Sequence, residues 1–460
     1  MEQRGLQDLD LTKNTSSTYK RGQKRQSMTA SEVMSWQVRI GLKAQDKTCV
    51  FTNLMKHINM DTLREAFRAI NGKKALGVDQ VSKSEYGKNL EANLSDLLKR
   101  VANGSYRPLP KREVLIPKSN GKMRPIAIAS FEDKLVDWCA GAILSQIYEP
   151  LFIRNSFGYR KGKSQHDAVE AAYYSLEKGV RANVVEIDFT NFFNTIPHKK
   201  LMRILEKRIA DKRFLGLIYR LLTGEILKSN GDTVPGDIGT PQGGIASPIL
   251  ANIYLNEVVD QWFLQTYASY NNIIVRYADD AVFFFKEENE AKEFMQALEL
   301  RSAAYGITIN TKKSRLSKLG KRSRESFSFL GFTFYRGRQG SRNILKIKTQ
   351  KERLHKAITE FYDWIKSSRN RMKLSALWSL AKAKIMGHAN YYGYWMNGTK
   401  INHFYSEAWR ALFKWLNRRS QKRSYTIEGF TERVRNFPLM PALQDFKWKS
   451  LGRSFGYVPK

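Results

Sequence analysis

The sequence predicts an α+β fold, because segments with the pattern of β-hairpins alternate with long helical segments. Three stretches have the hairpin pattern, apolar and β-branched residues around a short turn, at 111–130, 273–285 and 326–338. Apolar residues recur at helical spacing through 131–152, and residues 349–419 are helical in pattern, basic and rich in tryptophan. This mixture of hairpins and helices argues against a doubly wound parallel sheet.

The composition indicates a folded protein with a polyanionic partner. The 460 residues are enough for two or three domains, and 42% of them are hydrophobic. The chain has 78 Lys and Arg against 43 Asp and Glu, and the resulting net charge of +35 is spread over its whole length. Nucleic acid is the usual partner of such a charge. The alternative is a soluble protein that is simply basic.

Other classes of protein find no support in the sequence. Cys49 and Cys139 form no Cys-x-x-Cys pair, which fits a reducing compartment and predicts neither a zinc site nor a disulfide framework. Since no apolar run approaches the ~18 residues needed to span a bilayer, we expect no membrane partner. The first 26 residues are polar and lack the apolar core of a secretory signal, so we expect a flexible arm there.

Two adjacent aspartates, Asp279 and Asp280, lie at the expected turn of the hairpin "IIVRYADDAVFFF". An aspartate at a solvent-facing turn needs no function. Here the apolar flanks predict strands buried on at least one face, where two carboxylates repel each other and lose hydration. A divalent cation is the usual relief. Asp188, where the strand pattern of "VVEIDFTNFF" ends, would supply a third carboxylate, and such a set could hold two Mg²⁺ ions roughly 3.5–4 Å apart.

Several sequence boxes, in one order, resemble those of a known family. "EIDFTNFF" resembles a first metal motif, "GTPQGGIASPILANIYLNEV" the motif before the catalytic box, and "RYADD" the YxDD box itself. "SFGYRKGKSQHDA", "INTKKS" and "FSFLGFTF" fall in the same order, and "GHANYYGYW" resembles part of a maturase, or X, domain. These are motifs of the reverse transcriptases, also called maturases, of bacterial group II introns. The resemblance covers about residues 45–435.

The resemblance implies a right-hand polymerase, with fingers, palm and thumb, followed by a helical maturase (X) domain. We expect a polar basic N-terminal arm (1–45), fingers and palm (46–345), thumb and X domain (346–430), and a basic tail that is the remnant of a DNA-binding region (431–460). No histidine follows His403, so an HNH-type endonuclease, which needs histidine ligands, is not expected.

The activity implied by the resemblance is RNA-directed DNA synthesis by two-metal nucleotidyl transfer. The partners would be group II intron RNA, an RNA template with a DNA primer, target DNA and dNTPs, and the protein would assist splicing and retrohoming. Two Mg²⁺ ions would be the cofactors, with Mn²⁺ as a substitute. The expected location is the bacterial cytoplasm, in a nucleoid-associated ribonucleoprotein, and the sequence leaves the oligomeric state open.

The resemblance also assigns roles to individual residues. Asp188, Asp279 and Asp280 would bind the catalytic Mg²⁺, with the main-chain carbonyl of Phe189 completing one site. The residues expected at the incoming dNTP are Lys118, Arg124, Phe193, Gln242 and Lys313. The residues expected on structured intron RNA are Arg418, Arg419, Lys422 and Arg423.

Each assignment at the nucleotide has a physical reason and an alternative. Lys118 and Arg124 flank a tight turn and would clamp triphosphate oxygens, although a solvated charged turn has the same appearance. Phe193 would be the steric gate that excludes a 2′-hydroxyl, the alternative being a core residue, as expected for its neighbour Phe192. Gln242 would lie near the template base, and Lys313 near the triphosphate as a proton donor, with the adjacent lysine as a competitor.

The Trp-rich segment 349–419 also has two interpretations. Aromatic residues interleaved with basic ones suit contact with RNA. At helical spacing, most of the tryptophans are expected in the core, with the basic residues facing outward. The chain departs from the family at "AIASFEDK" (127–134), where a proline is usual, and at Lys161. The surface near the nucleotide is therefore expected to differ there.

Two alternative functions remain open at the level of the sequence. A related reverse transcriptase that has left its intron could serve in DNA repair or phage defence, and the protein sequence does not separate it from an intron-encoded one. A splicing cofactor that only binds RNA belongs to another class, and the intact set of Asp188, Asp279 and Asp280 argues against it.

Overall fold

The computed structural model describes residues 35–117, 123–177, 180–241, 243–268, 271–420, 424–442 and 444–451. Within these ranges the chain forms helices and mostly antiparallel strands, so the predicted mixture of α and β structure is confirmed. None of the helices in these ranges is long and apolar enough to cross a membrane.

The helices predicted within 131–152 and 349–419 are confirmed, and the structure adds α-helices in segments for which no helix was predicted from the sequence. The α-helices are α1 (Trp36–Ala44), α2 (Met60–Ala69), α3 (Lys83–Tyr86), α4 (Leu90–Asn103), α5 (Phe131–Tyr148), α6 (Gln165–Glu177), α7 (His198–Glu206), α8 (Lys212–Thr223), α9 (Ser247–Leu255), α10 (Gln261–Thr266), α11 (Glu288–Ala304), α12 (Lys351–Ser368), α13 (Leu374–Tyr392), α14 (Gly398–Leu416) and α15 (Ile427–Asn436). A π-helical turn, Asn256–Asp260, joins α9 to α10.

In the described part of the chain the strands form three sheets. They are β1 (Lys111–Pro117), β2 (Met123–Ile128), β3 (Asn183–Ile187), β4 (Ile226–Leu227), β5 (Thr233–Val234), β6 (Ile273–Tyr277), β7 (Asp280–Phe285), β8 (Arg315–Lys318), β9 (Ser326–Phe329), β10 (Phe332–Gln339) and β11 (Arg342–Thr349). Sheet A has the order β2-β1-β4-β5, sheet B the order β6-β7-β3-β8, and sheet C the order β11-β10-β9. The three predicted hairpins are confirmed as the antiparallel pairs β1–β2, β6–β7 and β9–β10.

Sheet B explains why "AVFFF" is apolar without alternation. Phe283 and Phe285 pack with Phe294 of α11 in one core, whereas Val282 and Phe284 belong to a second core beside α6. Both faces of β7 are therefore buried, and a strand buried on both faces gains from apolar residues at every position. The expectation of burial on at least one face is confirmed.

The helices α12 to α14 and α15 share a separate core. α12 packs against α14, and the side chains of Trp378 and Trp415 are buried in this core. Trp364 and Trp409 pack against it, and Trp395 is 47% exposed. The expectation that most of these tryptophans serve the core is confirmed.

Residues 444–451 return to the end of α13. The Lys449 amide donates to the Gly393 carbonyl at 2.8 Å, and Lys449 Nζ lies 2.5 Å from Nε2 of His166 on α6. Phe446 is buried against Gly393, where an added Cβ would lie 2.8 Å from the phenylalanine ring. This segment therefore connects the C-terminal helices to the flank of sheet B.

A half-buried histidine makes the stability of the protein depend on pH. The ring of His388 on α13 stacks on Phe404 at 3.9 Å, and its Nε2 is buried with no hydrogen-bond partner in the described residues. Burial lowers the pKa of His388 to about 4 from 6.5. Since the folded-state pKa lies below the unfolded one, stability is complete above pH 6.5 and is lost as the pH falls toward 4.

Between pH 7 and pH 5 we expect the free energy of unfolding to fall by about 2 kcal/mol through His388. Urea titrations at the two pH values, for the wild type and for His388→Phe, measure this. The variant keeps an aromatic ring on Phe404 but cannot be protonated. An equal pH dependence in the two proteins would contradict the prediction.

Candidate active site

The aspartates Asp279 and Asp280 lie at a tight turn between β6 and β7. Tyr277 pairs with Asp280 across the hairpin, and Ala278 has a φ of +56°, an uncommon value for a residue with a Cβ. Gly158 packs directly on this turn, because a Cβ at position 158 would lie 2.3 Å from the Ala278 nitrogen. A glycine at 158 is thus required for the close approach of the two segments.

A buried ion pair fixes the same turn from below. The side chains of Arg276 and Asp260 are both fully buried and form a bidentate salt bridge, with Nε to Oδ1 at 2.8 Å. Arg276 Nη1 also donates to the Asn252 side chain at 2.9 Å and to the Ala278 carbonyl at 2.8 Å. Asp260 closes the π-helical turn, a type of segment found frequently at functional sites. Arg276 therefore connects that turn to the backbone that carries Asp279.

Asp188 is brought to the two aspartates by the register of sheet B. Ile187, the last residue of β3, pairs with Ala281, so Asp188 follows directly beside the hairpin turn. Phe189 is buried and forms an isolated bridge with Ile309. Asp188 Oδ2 accepts from Asn310 at 3.2 Å and lies 2.8 Å from Lys313 Nζ. Three carboxylates and one lysine thus converge at one end of the sheet.

The electrostatics of the three carboxylates indicate a need for positive charge. Burial, followed by the charge of Asp188, raises the pKa of Asp279. Asp280 is open to the cleft. Its carboxylate nevertheless loses hydration to the surrounding protein atoms, and this effect, followed by the charges of Asp279 and Asp188, raises its pKa to about 6. Deprotonating all three together is therefore costly unless a cation joins them.

The donor set suits a hard divalent cation. Carboxylate oxygens are the ligands that Mg²⁺ prefers, and a divalent ion would relieve the repulsion that raises the pKa of Asp279 and Asp280. As the side chains stand, no three His, Cys, Asp or Glu residues of the described ranges are grouped as a ready metal site, and Lys313 contacts Asp188 instead. The ligand atoms of Asp188, Asp279 and Asp280 are thus of the type that binds Mg²⁺.

A cleft of about 650 Å³ opens over the aspartates. Sheet B forms its floor, Leu330 and Gly331 between β9 and β10 form one side, and Arg353, Tyr391 and Tyr392 from α12 and α13 form another. The sequence did not indicate Arg353 or these tyrosines as site residues. The charge of Arg353 opposes the rise in the pKa of Asp280. In the sequence, Arg353 is marked only by its place in the basic helical segment 349–419.

Phe193 lies close to the cleft in a short 3₁₀ turn after β3. Its side chain is half-buried, whereas Phe192 is buried as expected. The Phe193 carbonyl accepts from the Thr240 amide at 2.6 Å, which connects it to the segment "GTPQGG". Its ring meets the ring of Tyr159 edge-on at 6.4 Å. Phe193 thus has a fixed backbone and a partly open ring.

The remaining predicted residues fall in different surroundings. Arg124 is exposed on β2. Its charge opposes the rise in the pKa of Asp279, which indicates that Arg124 is near the site. Arg418 is exposed with its guanidinium 5.4 Å from the Trp415 ring, and Arg419 is half-buried and donates to the Met372 carbonyl at 3.1 Å. Outside the described residues lie Lys118, Gln242, Lys422 and Arg423.

An aspartate at a strand end, beside an aspartate pair on the neighbouring hairpin turn and under an open cleft, is the arrangement expected for the carboxylate site of a nucleic-acid polymerase. Residues 116–334 match the family model described as reverse transcriptase (RNA-dependent DNA polymerase). The chain is 30% identical to Protein YkfC of Escherichia coli over 335 residues, which are 64% of this chain and 86% of that protein. The chain belongs to the reverse transcriptase family and is an RNA-dependent DNA polymerase.

Other relatives are encoded by introns. The chain is 34% identical over 218 residues to the group II intron-encoded protein LtrA of Lactococcus lactis, covering 47% of this chain and 36% of LtrA. It is 32% identical over 179 residues to the putative COX1/OXI3 intron 1 protein of Saccharomyces cerevisiae, covering 39% and 21%. The chain thus matches about a third or less of these two proteins. The resemblance to group II intron-encoded reverse transcriptases is confirmed.

Proposed function

We propose that the chain copies RNA into DNA at the three aspartates in a Mg²⁺-dependent reaction, and that it binds the RNA of a group II intron. The observation that carries the proposal is the register of sheet B, which places Asp188 beside the turn of Asp279 and Asp280 under an open cleft. In the proposed right-hand arrangement, sheet A belongs to the fingers, sheet B to the palm, and α12 to α15 to the thumb and maturase domain.

Mg²⁺ would be held by Asp188 and Asp279, less directly by Asp280, and by the Phe189 carbonyl, with Mn²⁺ as a substitute. Two such ions, when bound, acidify the primer hydroxyl and neutralise the triphosphate.

The chain's own groups would orient the nucleotide. Arg124 would bind triphosphate oxygens from the side of sheet A. Lys313 would leave Asp188 and give a proton to the departing pyrophosphate. Lys118 and Gln242, assigned from the sequence, would complete this set at the phosphates and at the template base.

The intron-binding part of the proposal is supported by a concentration of positive charge around Trp415. Arg369 lies 4.7 Å from this ring, Arg418 5.4 Å, Lys414 5.5 Å and Lys366 5.8 Å. Such a cluster suits the closely spaced phosphates of folded RNA. With it we propose a role in splicing and retrohoming, with target DNA as a further partner, in a nucleoid-associated particle of the bacterial cytoplasm.

The direct test is primer extension. Purified protein is given an RNA template, an annealed DNA primer, dNTPs and Mg²⁺, and the products are resolved on a gel. We expect extension to the template end, and loss of extension when EDTA replaces Mg²⁺. If the protein binds the template but does not extend the primer in any Mg²⁺ or Mn²⁺ concentration, the polymerase part of the proposal fails.

Replacing Phe193 by valine should weaken sugar selection. A smaller side chain leaves room for a 2′-hydroxyl, and one small group changes discrimination by on the order of tenfold or more. The measurement is kcat/KM for a dNTP and for the matching rNTP in single-nucleotide extension. The control is Phe437→Val, since Phe437 is an exposed phenylalanine that follows α15 in the C-terminal helices and has no ring contact with Tyr159 in the described part of the chain. If the ratio of kcat/KM for dNTP over rNTP is unchanged in Phe193→Val, Phe193 is not the steric gate.

Replacing Arg418 by glutamine should weaken RNA binding at low salt. One lost phosphate contact should also reduce the slope of log K against log salt by about 1. Filter binding of a group II intron RNA over a range of KCl concentrations gives both quantities. The matched control is Arg64→Gln, because Arg64 is already paired with Asp61 and Glu91. Equal slopes for Arg418→Gln and the wild type would argue against this surface.

A further inference from the structure

The backbone at Tyr159 is held in a strained conformation against the aspartate turn. Tyr159 has a φ of +57°, a left-handed value that is a genuine outlier for a bulky residue. The residue before it, Gly158, packs on Ala278, and its carbonyl accepts from Asn252 Nδ2 at 2.7 Å. The place of Tyr159 is thus fixed relative to Asp279.

The residue after Tyr159 is anchored as well. Arg160 Nη1 donates to the carbonyls of Ile153 at 2.8 Å and Ser156 at 2.6 Å, and Nε donates to Glu149 at 2.9 Å. Both neighbours of Tyr159 are therefore held, and the chain has little freedom to relax the strain. Strained residues persist where the surroundings over-determine them, and they cluster at active sites and ligand clamps.

Burial of the Tyr159 side chain does not offset the free-energy cost of the strained backbone. It is 58% exposed and lines the cleft that contains Asp188 and Asp279. A large aromatic residue in a strained conformation that leaves most of its ring in an open cleft contributes little to folding. Its position is more simply explained by what the cleft binds.

The ring of Tyr159 meets Phe193 at the edge of this cleft. The two ring centroids are 6.4 Å apart with planes at 90°, a favourable edge-to-face arrangement. The two residues come from different segments, Tyr159 from the loop before α6 and Phe193 from the turn after β3. Tyr159 lines the cleft beside the aspartates, and Phe193 adjoins the cleft through this ring contact.

We propose that Tyr159 is a second specificity-determining residue for the sugar, forming with Phe193 the wall that admits deoxyribonucleoside triphosphates and rejects ribonucleoside triphosphates. This inference rests on the proposed polymerase function and on Phe193 as the gate. The faces of the two rings offer no strong acceptor, so a ribose packed against them, away from the Tyr159 hydroxyl, would leave its 2′-hydroxyl without a partner. The edge-to-face contact of the Tyr159 ring also limits how far the Phe193 ring can move away from the sugar.

The central variant is Tyr159→Asn, because asparagine tolerates a positive φ and removes the ring while keeping the backbone. We expect the ratio of kcat/KM for dNTP over rNTP to fall about tenfold, through a rise in kcat/KM with the ribonucleotide. Tyr159→Phe keeps the ring and should keep the ratio. Tyr159→His, which also tolerates a positive φ and has a smaller ring, should give an intermediate ratio and serves if the asparagine variant does not fold.

A double variant tests whether the two rings act together. If Tyr159 and Phe193 form one wall, Tyr159→Asn combined with Phe193→Val should lower the ratio by less than the product of the two single effects. Tyr219→Asn on α8, where a tyrosine is 46% exposed away from the cleft, is the matched control and should leave the ratio unchanged.

Two results would overturn the inference. One is a wild-type ratio in Tyr159→Asn. The other is a ratio altered only because kcat with dNTP falls, which would mean that Tyr159 supports the turn of Asp279 and does not select the sugar. Failure of the proposed function is separate: the wild type would then not extend a primer, or Phe193→Val would select sugars as the wild type does.

Discussion

Replacing Asp279 by asparagine should reduce primer extension on RNA by on the order of 10³-fold. The change keeps the shape of the side chain and removes one of three converging charges. Since burial and Asp188 raise the pKa of Asp279, the charged form destabilises the fold at neutral pH. We therefore expect the melting temperature of the variant to equal or exceed that of the wild type while activity is lost.

The measurements are single-turnover extension with dNTPs and thermal unfolding by calorimetry. The matched control is Asp232→Asn, since Asp232 is also an aspartate at a hairpin turn, between β4 and β5, but is exposed and bonded to Asn230. It should leave extension unchanged. If Asp279→Asn extends primers within tenfold of the wild type, Asp279 does not act in the reaction.

Replacing Arg276 by methionine should destabilise the protein by about 3–5 kcal/mol, because it leaves the buried carboxylate of Asp260 without its partner. It also removes the donor to the Ala278 carbonyl, so the turn of Asp279 loses a contact. We expect a loss of both stability and extension, measured by urea unfolding and by extension at a temperature where the variant is folded.

A second variant separates the two effects. In Arg276→Met with Asp260→Leu, the buried charge is gone, and stability should recover largely, whereas extension should stay low because the Ala278 carbonyl still lacks its donor. An exposed ion pair serves as the control: Arg410→Met, which removes the partner of Glu407, should change stability by less than about 1 kcal/mol. Equal effects of Arg276→Met and Arg410→Met would contradict the prediction.

The sequence predicted the parts of the site that depend on local pattern. The run of Val184, Val185 and Ile187 predicted β3 with Asp188 at its end, and the flanks of Asp279 predicted a buried hairpin. These predictions succeed because strand propensity and turn position depend on residues that are adjacent in the sequence.

The sequence did not predict the contacts that bring distant segments to the turn. The approach of Gly158 to Ala278, the pairing of Arg276 with Asp260 and the place of Arg353 in the cleft depend on how whole elements pack. A lone arginine in "VRYADD" looks like a surface charge until the π-helical turn is placed beneath it. Periodicity carries no signal for such pairs.

The strand order of sheet B has a consequence for how the chain folds during synthesis. The central strand β3 pairs with β7 and with β8, and both follow it by many residues, with α7 to α10 between β3 and β6. A nascent chain that has emerged as far as α10 therefore holds an apolar β3 with both edges unpaired. Such edges invite pairing with other chains. We expect this interval of synthesis to be the one most exposed to misassembly, and chaperones that shield strand edges to matter most there.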